Sequence, residues 1–434
     1  MTTISVGEVL RRVLRAAGVD GVYGEPTGAP GSPASLTVTP VPAAVADLFA
    51  RAHYQVHGVR AAVHRGDGIL RLVAADAGPR RMFSVTSTDE LLGAVPALCV
   101  PGPIEMSLEL DLAELVADAA PAPAPVAERW IDPSPETVDV VRRATSLAVL
   151  AGPGVVRHGA VAGLHDLALS AGIGVLNTWG AKGVFDWRSR HHLATVGLQA
   201  RDYELGGLGD VDLIVATGLD PRESPDGTWE LAPVVRVEPG ALAPLAEQCG
   251  DARRSPVMPP LRARLADVTQ QGWALSTAPL APSRVTMHYA ACLAPGGLVA
   301  ADAGTAGFWV ARTFATTRLG AAVVPSAPSP GFAAACVAVA RLRRPEQPAL
   351  AVVDGPADQA TVAVLDAAAA LGVVVPVEAW SPDGDRLDAD AHRSRLARLV
   401  LSGSPGSAGP VTVATDLGQM ASILEAAGPV VAWT

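Results

Sequence analysis

The sequence predicts an α/β protein of three domains, each a mainly parallel sheet flanked by helices. Three observations predict it. Short, uninterrupted apolar runs at 147–150, 298–301 and 349–353 read as strands buried on both faces, as parallel strands are. Amphipathic stretches stopped by glycine, such as 161–171 before Gly172 and 357–371 before Gly372, read as helices between such strands. A Pro/Ala stretch at 119–128 reads as a stiff, extended linker. The expected boundaries are a first domain at 1–118, a linker at 119–135, a central domain at 136–273 and a third domain at 274–434.

Composition bounds the function before any motif does. The chain has 434 residues, 49% hydrophobic and 18% charged, with 4% aromatics. It is long enough to bury several cores and too apolar for disorder. A formal net charge of −10 leaves no basic field for nucleic acid or an anionic membrane surface, the patch at Arg341, Arg343 and Arg344 being isolated. Cys99, Cys249, Cys292 and Cys336 have neither a zinc spacing nor a disulfide framework and are expected to be reduced. No apolar run reaches the roughly 18 residues of a membrane helix, and the start MTTISVGEVLRR has no signal core. The expected location is cytoplasmic, without a membrane partner.

In the first domain, Ser5 and Glu8 form a capping box ahead of an apolar stripe, Val6, Val9, Leu10, Val13, Leu14 and Ala17, which Gly18 ends. A strand at 21–24 enters a Gly/Pro/Ser-rich loop at 25–35, and a second helix is expected at 42–57. Strands at 61–63 and 69–74 flank the turn Gly66-Asp67-Gly68, and a helix at 88–98 precedes a strand at 104–110. The central domain alternates strands at 147–150, 173–176, 212–216 and 234–237 with helices. Its Gly152-Pro-Gly154 invites a dinucleotide reading, but the third glycine of that fingerprint falls on Arg157 and no acid closes the next strand. A structural strand-to-helix turn is the competing reading.

The third domain carries the chemistry. Helix 283–293, strand 298–301 and the tip Asp302-Ala-Gly304 lead to a Gly/Pro/Ser loop at 325–331 and a helix at 332–342. Strand 349–353 then delivers Asp354 and Gly355 to its carboxyl end, where open α/β sheets bind ligands. A carboxylate there, beside a glycine that lets backbone approach, can hold Mg²⁺ and through it a diphosphate. Equally, Asp354 can simply cap the helix that follows. Strand 373–377, a charged stretch at 383–398, a loop at 402–409, a helix at 417–427 and a last strand at 429–433 complete the expectation.

Taken together, this order of pieces resembles the thiamine diphosphate-dependent enzymes, in their acetolactate synthase and benzoylformate decarboxylase branch. VGEVLRRVLRAAGVDGVYGEPTGA and PGPIEMSLELDL look like parts of the pyrimidine-binding domain. LAVLAGPGVVRHGAVAGLHDLALSAGIGVLNTWGAKGVF, with Thr178 and Lys182, is similar to the central domain. VAADAGTAGFW, SPGFAAACVAVA and LAVVDGPADQATVAVLDAA match the diphosphate-binding domain in order. The resemblance implies thiamine diphosphate and Mg²⁺, with Asp302, Gly304, Gly331 and Gly355 around the cofactor and Asp354 and Glu378 on the metal. A Glu378 that merely faces solvent is the alternative.

Several family features are missing. The glutamate that activates the cofactor falls at Ala43, and Glu25 and Asp47 are the nearest acids. The asparagine of the metal motif falls around Glu378, the residue that bends the cofactor falls at Pro330, and one strand-helix unit of the first domain is absent. The expectation is therefore a degenerate member that works as a binding or companion subunit. The alternative is an active lyase or carboligase on a small 2-oxo acid such as pyruvate. The resemblance also implies a homodimer or tetramer, or an intact paralogous subunit as partner. With no anion in the vacated site, Asp302, Asp354 and Glu378 should converge and repel. Balance would come from a cation or from a neighbouring side chain such as Arg312, which otherwise reads as a solvated helix residue.

Overall fold

The computed structural model describes residues 3–25, 38–65, 68–73, 81–99, 103–118, 131–250, 254–293, 295–401, 411–416 and 418–434. Most of the expected loops at 25–35 and 402–409, the Gly66-Asp67 turn and the linker at 119–128 lie outside the described residues. The chain divides into two compact units. One comprises residues 1–128, 338–345 and 362–373, and the other the remainder.

Elements of the first stretch are β1 (Thr3–Ser5), α1 (Val6–Ala16), β2 (Val19–Gly24), β3 (Thr39–Pro40), α2 (Ala43–His57), β4 (Arg60–His64) and β5 (Ile69–Val73). β6 (Arg81–Val85), α3 (Thr88–Gly93), α4 (Val95–Cys99), β7 (Ile104–Leu108) and β8 (Leu115–Ala117) follow. The capping box is formed as expected, with Ser5 accepting from the Glu8 N–H at 3.2 Å. Val6, Val9, Leu10, Val13 and Leu14 turn inward, the last four packing in one cluster with Leu70, Leu72, Ile104 and Met106. The six-stranded sheet runs β3-β2-β4-β5-β7-β6. β2 pairs in parallel with β3 and β4, and β6 with β7, while β5 is antiparallel to β4 and β7. β4 and β5 pair antiparallel in sequence order, where a parallel pair would need a crossover helix.

The central elements are α5 (Pro135–Arg143), β9 (Leu147–Ala151), α6 (Gly154–Arg157), α7 (Val161–Ser170), β10 (Gly174–Thr178), β11 (His192–Val196), α8 (Asp202–Leu205), β12 (Leu213–Thr217), β13 (Val234–Arg236) and α9 (Leu242–Cys249). They build an all-parallel sheet, β11-β10-β9-β12-β13. Every residue of β9, β10 and β12 is buried, including the polar Asn177, Thr178 and Thr217 at the carboxyl ends of β10 and β12.

The rest comprises α10 (Pro260–Ala274), α11 (Pro282–Cys292), β14 (Leu298–Ala301), α12 (Thr305–Thr313), β15 (Ala322–Val323), α13 (Phe332–Arg343), β16 (Ala349–Asp354), α14 (Gln359–Ala370), β17 (Val377–Trp380), α15 (Ala389–Leu401), β18 (Val411–Val413) and α16 (Gly418–Ala427). Its sheet, β15-β14-β16-β17-β18, is also all parallel. Trp309, Tyr289 and Phe308 anchor its core together with Trp179 and Leu198 of the central region. Burying one large apolar side chain of this kind contributes about 1.5–3 kcal/mol.

Two expected strands differ. The run at 373–377 becomes strand only from Val377 and continues to Trp380, because Pro376 has no N–H for a ladder and offers only its carbonyl, to the Ala351 N–H. The expected strand at 429–433 makes a single bridge, Val430 with Gln199. There the chain is held instead by the Trp433 indole, which donates to the Pro325 carbonyl at 2.8 Å and packs edge-on against Trp179.

Candidate functional site

β14 and β16 lie side by side and in parallel, so their carboxyl ends bring Asp302 and Asp354 to one edge of the sheet. The Asp302 N–H donates to the Val352 carbonyl at 3.1 Å, which fixes the backbone at the tip. The nearly buried Asp302 carboxylate accepts from the Gly331 N–H at 3.0 Å and the Ala333 N–H at 2.7 Å. Asp354 stands exposed and accepts from the Thr305 N–H at 2.7 Å and the Ala306 N–H at 2.9 Å. Each acid therefore caps a helix: Asp302 serves α13 and Asp354 serves α12. The cap reading of Asp354 holds, on a different helix from the one that follows it.

The glycines make room for this. Gly304 has φ +137°, and a Cβ on it would lie 2.2 Å from an Asp354 oxygen. Gly331 has φ +79° and backs onto the Ala360 backbone, so a side chain is excluded there by both conformation and space. Gly355 gives its N–H to the Trp380 carbonyl at 2.7 Å. Burial pushes the Asp302 carboxyl up to about 6, against the pull of its two N–H donors, with Asp358 and Asp354 adding to the rise.

Sequence reasoning expected Glu378 to join these acids on a metal or to face solvent; it does neither. Because β17 extends to Trp380, Glu378 falls inside the sheet, level with Val352 rather than Asp354. Its fully buried carboxylate accepts the Tyr289 hydroxyl and contacts His392 Nε2 at 3.1 Å. His392 Nδ1 faces His288 Nδ1 at 2.7 Å, and Arg284 Nε donates to His288 Nε2 at 3.1 Å. Arginine can only donate, so His288 accepts through Nε2, donates through Nδ1 to His392, and His392 donates to Glu378. Burial alone would raise the Glu378 carboxyl; His392, Tyr289 and Arg395 outweigh it and hold the group below its usual range. Burial likewise takes His288 down to about 4, helped by the charges of His392, Arg284 and Arg393.

Arg312 is neither solvated nor beside the aspartates. It is buried, donates to both oxygens of Asp202 at 2.8 and 2.7 Å, and reaches the Thr195 carbonyl at 2.8 Å. Asp202 also accepts from the N–H groups of Leu198 and Gln199 at 2.8 and 3.0 Å. Asp302 and Asp354 are each held by two backbone N–H groups, and Arg312 is not the side chain that balances them. Among the described residues, no cluster of three or more His, Cys, Asp or Glu side chains could hold a metal ion.

In the other unit, α2 starts at Ala43 after Pro42, with no acidic residue in its first turn and no side-chain cap. Asp47 pairs with Arg71 at 2.7 Å, and Glu25 is exposed. An unforeseen chain lies nearby: Tyr23 hydroxyl to His53 Nδ1 at 2.8 Å, His53 Nε2 to Asp20 at 2.5 Å, and Asp20 to Arg343 at 3.1 Å.

In the central sheet the strand-to-helix turn reading prevails over a dinucleotide site. Gly152 and Gly154 give their N–H groups to the carbonyls of Thr217 and Gly218 at 2.9 and 2.7 Å, and a Cβ on Gly152 would lie 2.4 Å from the Gly218 oxygen. A diphosphate would find those donors used. Next to this turn Thr178 donates to the buried Glu223, which also accepts from the Gly180 N–H at 3.0 Å. Burial pushes Glu223 up to about 7 against those bonds. Lys182 is brought down to about 7 by burial and by the Arg312 charge.

Residues 135–239 match the family of the thiamine pyrophosphate enzyme, central domain. The match covers about a quarter of the chain and falls on the α/β region expected from LAVLAGPGVVRHG. No curated protein matches the chain. Thiamine pyrophosphate enzymes use thiamine diphosphate, normally with Mg²⁺, and the residues at the places the resemblance points to fit that pair poorly. Asp354 accepts one backbone N–H on each oxygen and keeps lone pairs on both, but Glu378 is enclosed in its own network and Ala43 offers no carboxylate. Asp202, Glu223, His288 and His392 were not legible in the sequence. Their partners are remote along the chain, and no local spacing marks them.

Proposed function

We propose that the chain is a thiamine diphosphate enzyme-like, acetolactate synthase-like protein with a degenerate cofactor site. Its role on this reading is that of a binding or companion subunit, paired with a second copy or with an intact paralogous subunit. The observation that carries the reading is the first turn of α2, where Ala43 stands and no acid is present. In this family a carboxylate against the aminopyrimidine ring ordinarily drives ylid formation, though some members manage without it, and a methyl group can neither accept nor relay a proton. The nearest substitute, Asp47, is tied to Arg71. The match of residues 135–239 to the central domain supports the scaffold.

Calorimetric titration with thiamine diphosphate and Mg²⁺ tests it. The expected result is no binding heat at millimolar cofactor. Micromolar binding, about 8 kcal/mol, that disappears in Asp354→Ala would instead favour an active Mg²⁺-dependent lyase or carboligase on a small 2-oxo acid such as pyruvate. Light scattering at micromolar concentration is expected to give a dimer or tetramer; a stable monomer would remove the self-pairing part of the proposal.

A further inference from the structure

Beside the edge strand β11, two buried cations stand near each other and only one of them has a counter-ion. Lys182 closes the turn that follows β10, and that turn lies against the chain after α12. A Cβ on Gly183 would be 2.5 Å from the Arg318 carbonyl oxygen, and the Trp187 N–H donates to the Thr316 carbonyl at 2.9 Å. Arg312 reaches the same place from α12 and bonds the Thr195 carbonyl of β11 at 2.8 Å. The two are close enough for the Arg312 charge, added to burial, to weigh on the Lys182 ammonium. Arg262 of α10 brings a third cation. It donates to the carbonyls of Trp187 and His192 and to no carboxylate.

The one carboxylate bonded here is Asp202, and it is spent. It takes two bonds from Arg312 Nη2 and the N–H groups of Leu198 and Gln199. Donors are left over. Arg312 Nε is buried without a hydrogen-bond partner, although the whole Arg312 side chain is enclosed. Lys182 is only 7% exposed, and among the described residues its ammonium makes neither a hydrogen bond nor an ion pair. His192, which feels the charges of Lys182 and Arg262, offers a ring at the margin that is likewise unbonded. A buried donor without a partner is rare, and a buried cation without a counter-ion is among the costliest states of a protein interior. The partner that suits these groups is an acceptor carrying negative charge. Their enclosure favours an ion of about the size of a water molecule over a phosphate ester or a nucleotide.

We propose that Lys182 Nζ and Arg312 Nε form a binding site for a small inorganic monoanion of the halide class, with chloride as its ligand. The ion takes a charge-assisted hydrogen bond from each group and matches two cations, Lys182 and Arg312, with two anions, itself and Asp202. It ties the turn after β10 to α12, and so fastens the central sheet to the third within the larger unit. Ala43, Asp354 and Glu378 take no part, so the site stands whichever way the cofactor reading falls.

Thermal unfolding of the full chain at fixed ionic strength, with sodium gluconate exchanged stepwise for sodium chloride, tests the site. Tm is expected to rise saturably with chloride, as it does for a ligand bound by the folded state alone, and sodium bromide is expected to act in the same way. Lys182→Met, which keeps the bulk and removes the charge, is expected to lose most of that rise. A Tm of the unaltered chain that does not respond to chloride overturns the proposal, and so does an undiminished response in a folded Lys182→Met. If Lys182→Met does not fold, crystals of the unaltered chain grown in sodium bromide decide. An anomalous bromide peak within hydrogen-bonding reach of Lys182 Nζ and Arg312 Nε is expected; a water at that place, or bromide bound only elsewhere, overturns the proposal.

Discussion

The larger unit contains two five-stranded parallel sheets whose carboxyl ends treat negative charge in opposite ways. Around the central sheet, Asp202 is fully buried and matched by a real cation, Arg312, on two hydrogen bonds, while Glu223, bonded to the Thr178 hydroxyl and the Gly180 N–H, is pushed by burial towards its neutral form. At the third sheet, Asp302 and Asp354 form no ion pair with a lysine or arginine among the described residues and are held by four backbone N–H groups. The same architecture thus supplies a salt bridge in one place and self-capped helices in the other. A ligand site is open only where donors at the strand ends are left unspent, and at neither edge do the named backbone donors remain so.

The comparison breaks most dramatically at Arg312. Replacing it with methionine leaves Asp202 buried without its cation, which costs about 3–5 kcal/mol. Chemical unfolding of Arg312→Met should show that loss, whereas Asp202→Asn together with Arg312→Met should recover part of it. A loss under about 1 kcal/mol would mean that the Leu198 and Gln199 N–H groups suffice to hold Asp202, and would bring it into line with the aspartates of the third sheet.

How far the sequence carried this picture depends on the reach of each signal. Strands 147–150, 298–301 and 349–353 were legible because unbroken apolar runs demand burial on both faces, and the strand tips at Asp302 and Asp354 followed from where those runs stop. Glu378 was misplaced by the register of one strand: Pro376 delays β17 so that the residue read as lying beyond the sheet lies within it. Arg312 was misread because its partner Asp202 lies 110 residues away, a distance that helical spacing cannot reveal. His288 and His392, 104 residues apart, escaped for the same reason. The capping of α12 by Asp354 was half legible, since the residue type announces a cap but not which helix receives it.

Glu223 sharpens the comparison through pH. In the unfolded chain its carboxyl titrates near the ordinary glutamate value of 4.5, and in the fold burial raises it to about 7. Between those values the folded chain keeps a proton that the unfolded chain has released, so this group's contribution to stability is complete below 4.5 and is lost as pH rises through 7. Lowered histidines such as His57 and His288, both at about 4, lose stability in the opposite direction, towards acid, so the comparison is between variants rather than along one curve. Glu223→Gln, which mimics the protonated form, should match the unaltered chain at pH 5. At pH 8 it should exceed it by on the order of 2–3 kcal/mol. A stability difference that does not change with pH would show that burial does not raise the Glu223 carboxyl.

The smallest effect is expected at the third sheet's edge, from taking away one cap. Asp354 is exposed, and water can replace its carboxylate at the Thr305 and Ala306 N–H groups. Asp354→Ala should therefore cost about 1 kcal/mol, in the range of an ordinary helix cap. Asp302 is nearly buried, and water cannot reach the Gly331 and Ala333 donors as freely, so Asp302→Ala should cost about 1–3 kcal/mol for stranding them. Urea unfolding of the two variants gives the ratio directly. Equal losses would mean that the two helix starts are equally wet. A larger loss for Asp302 would show that burial, more than the number of N–H donors, sets what each cap contributes.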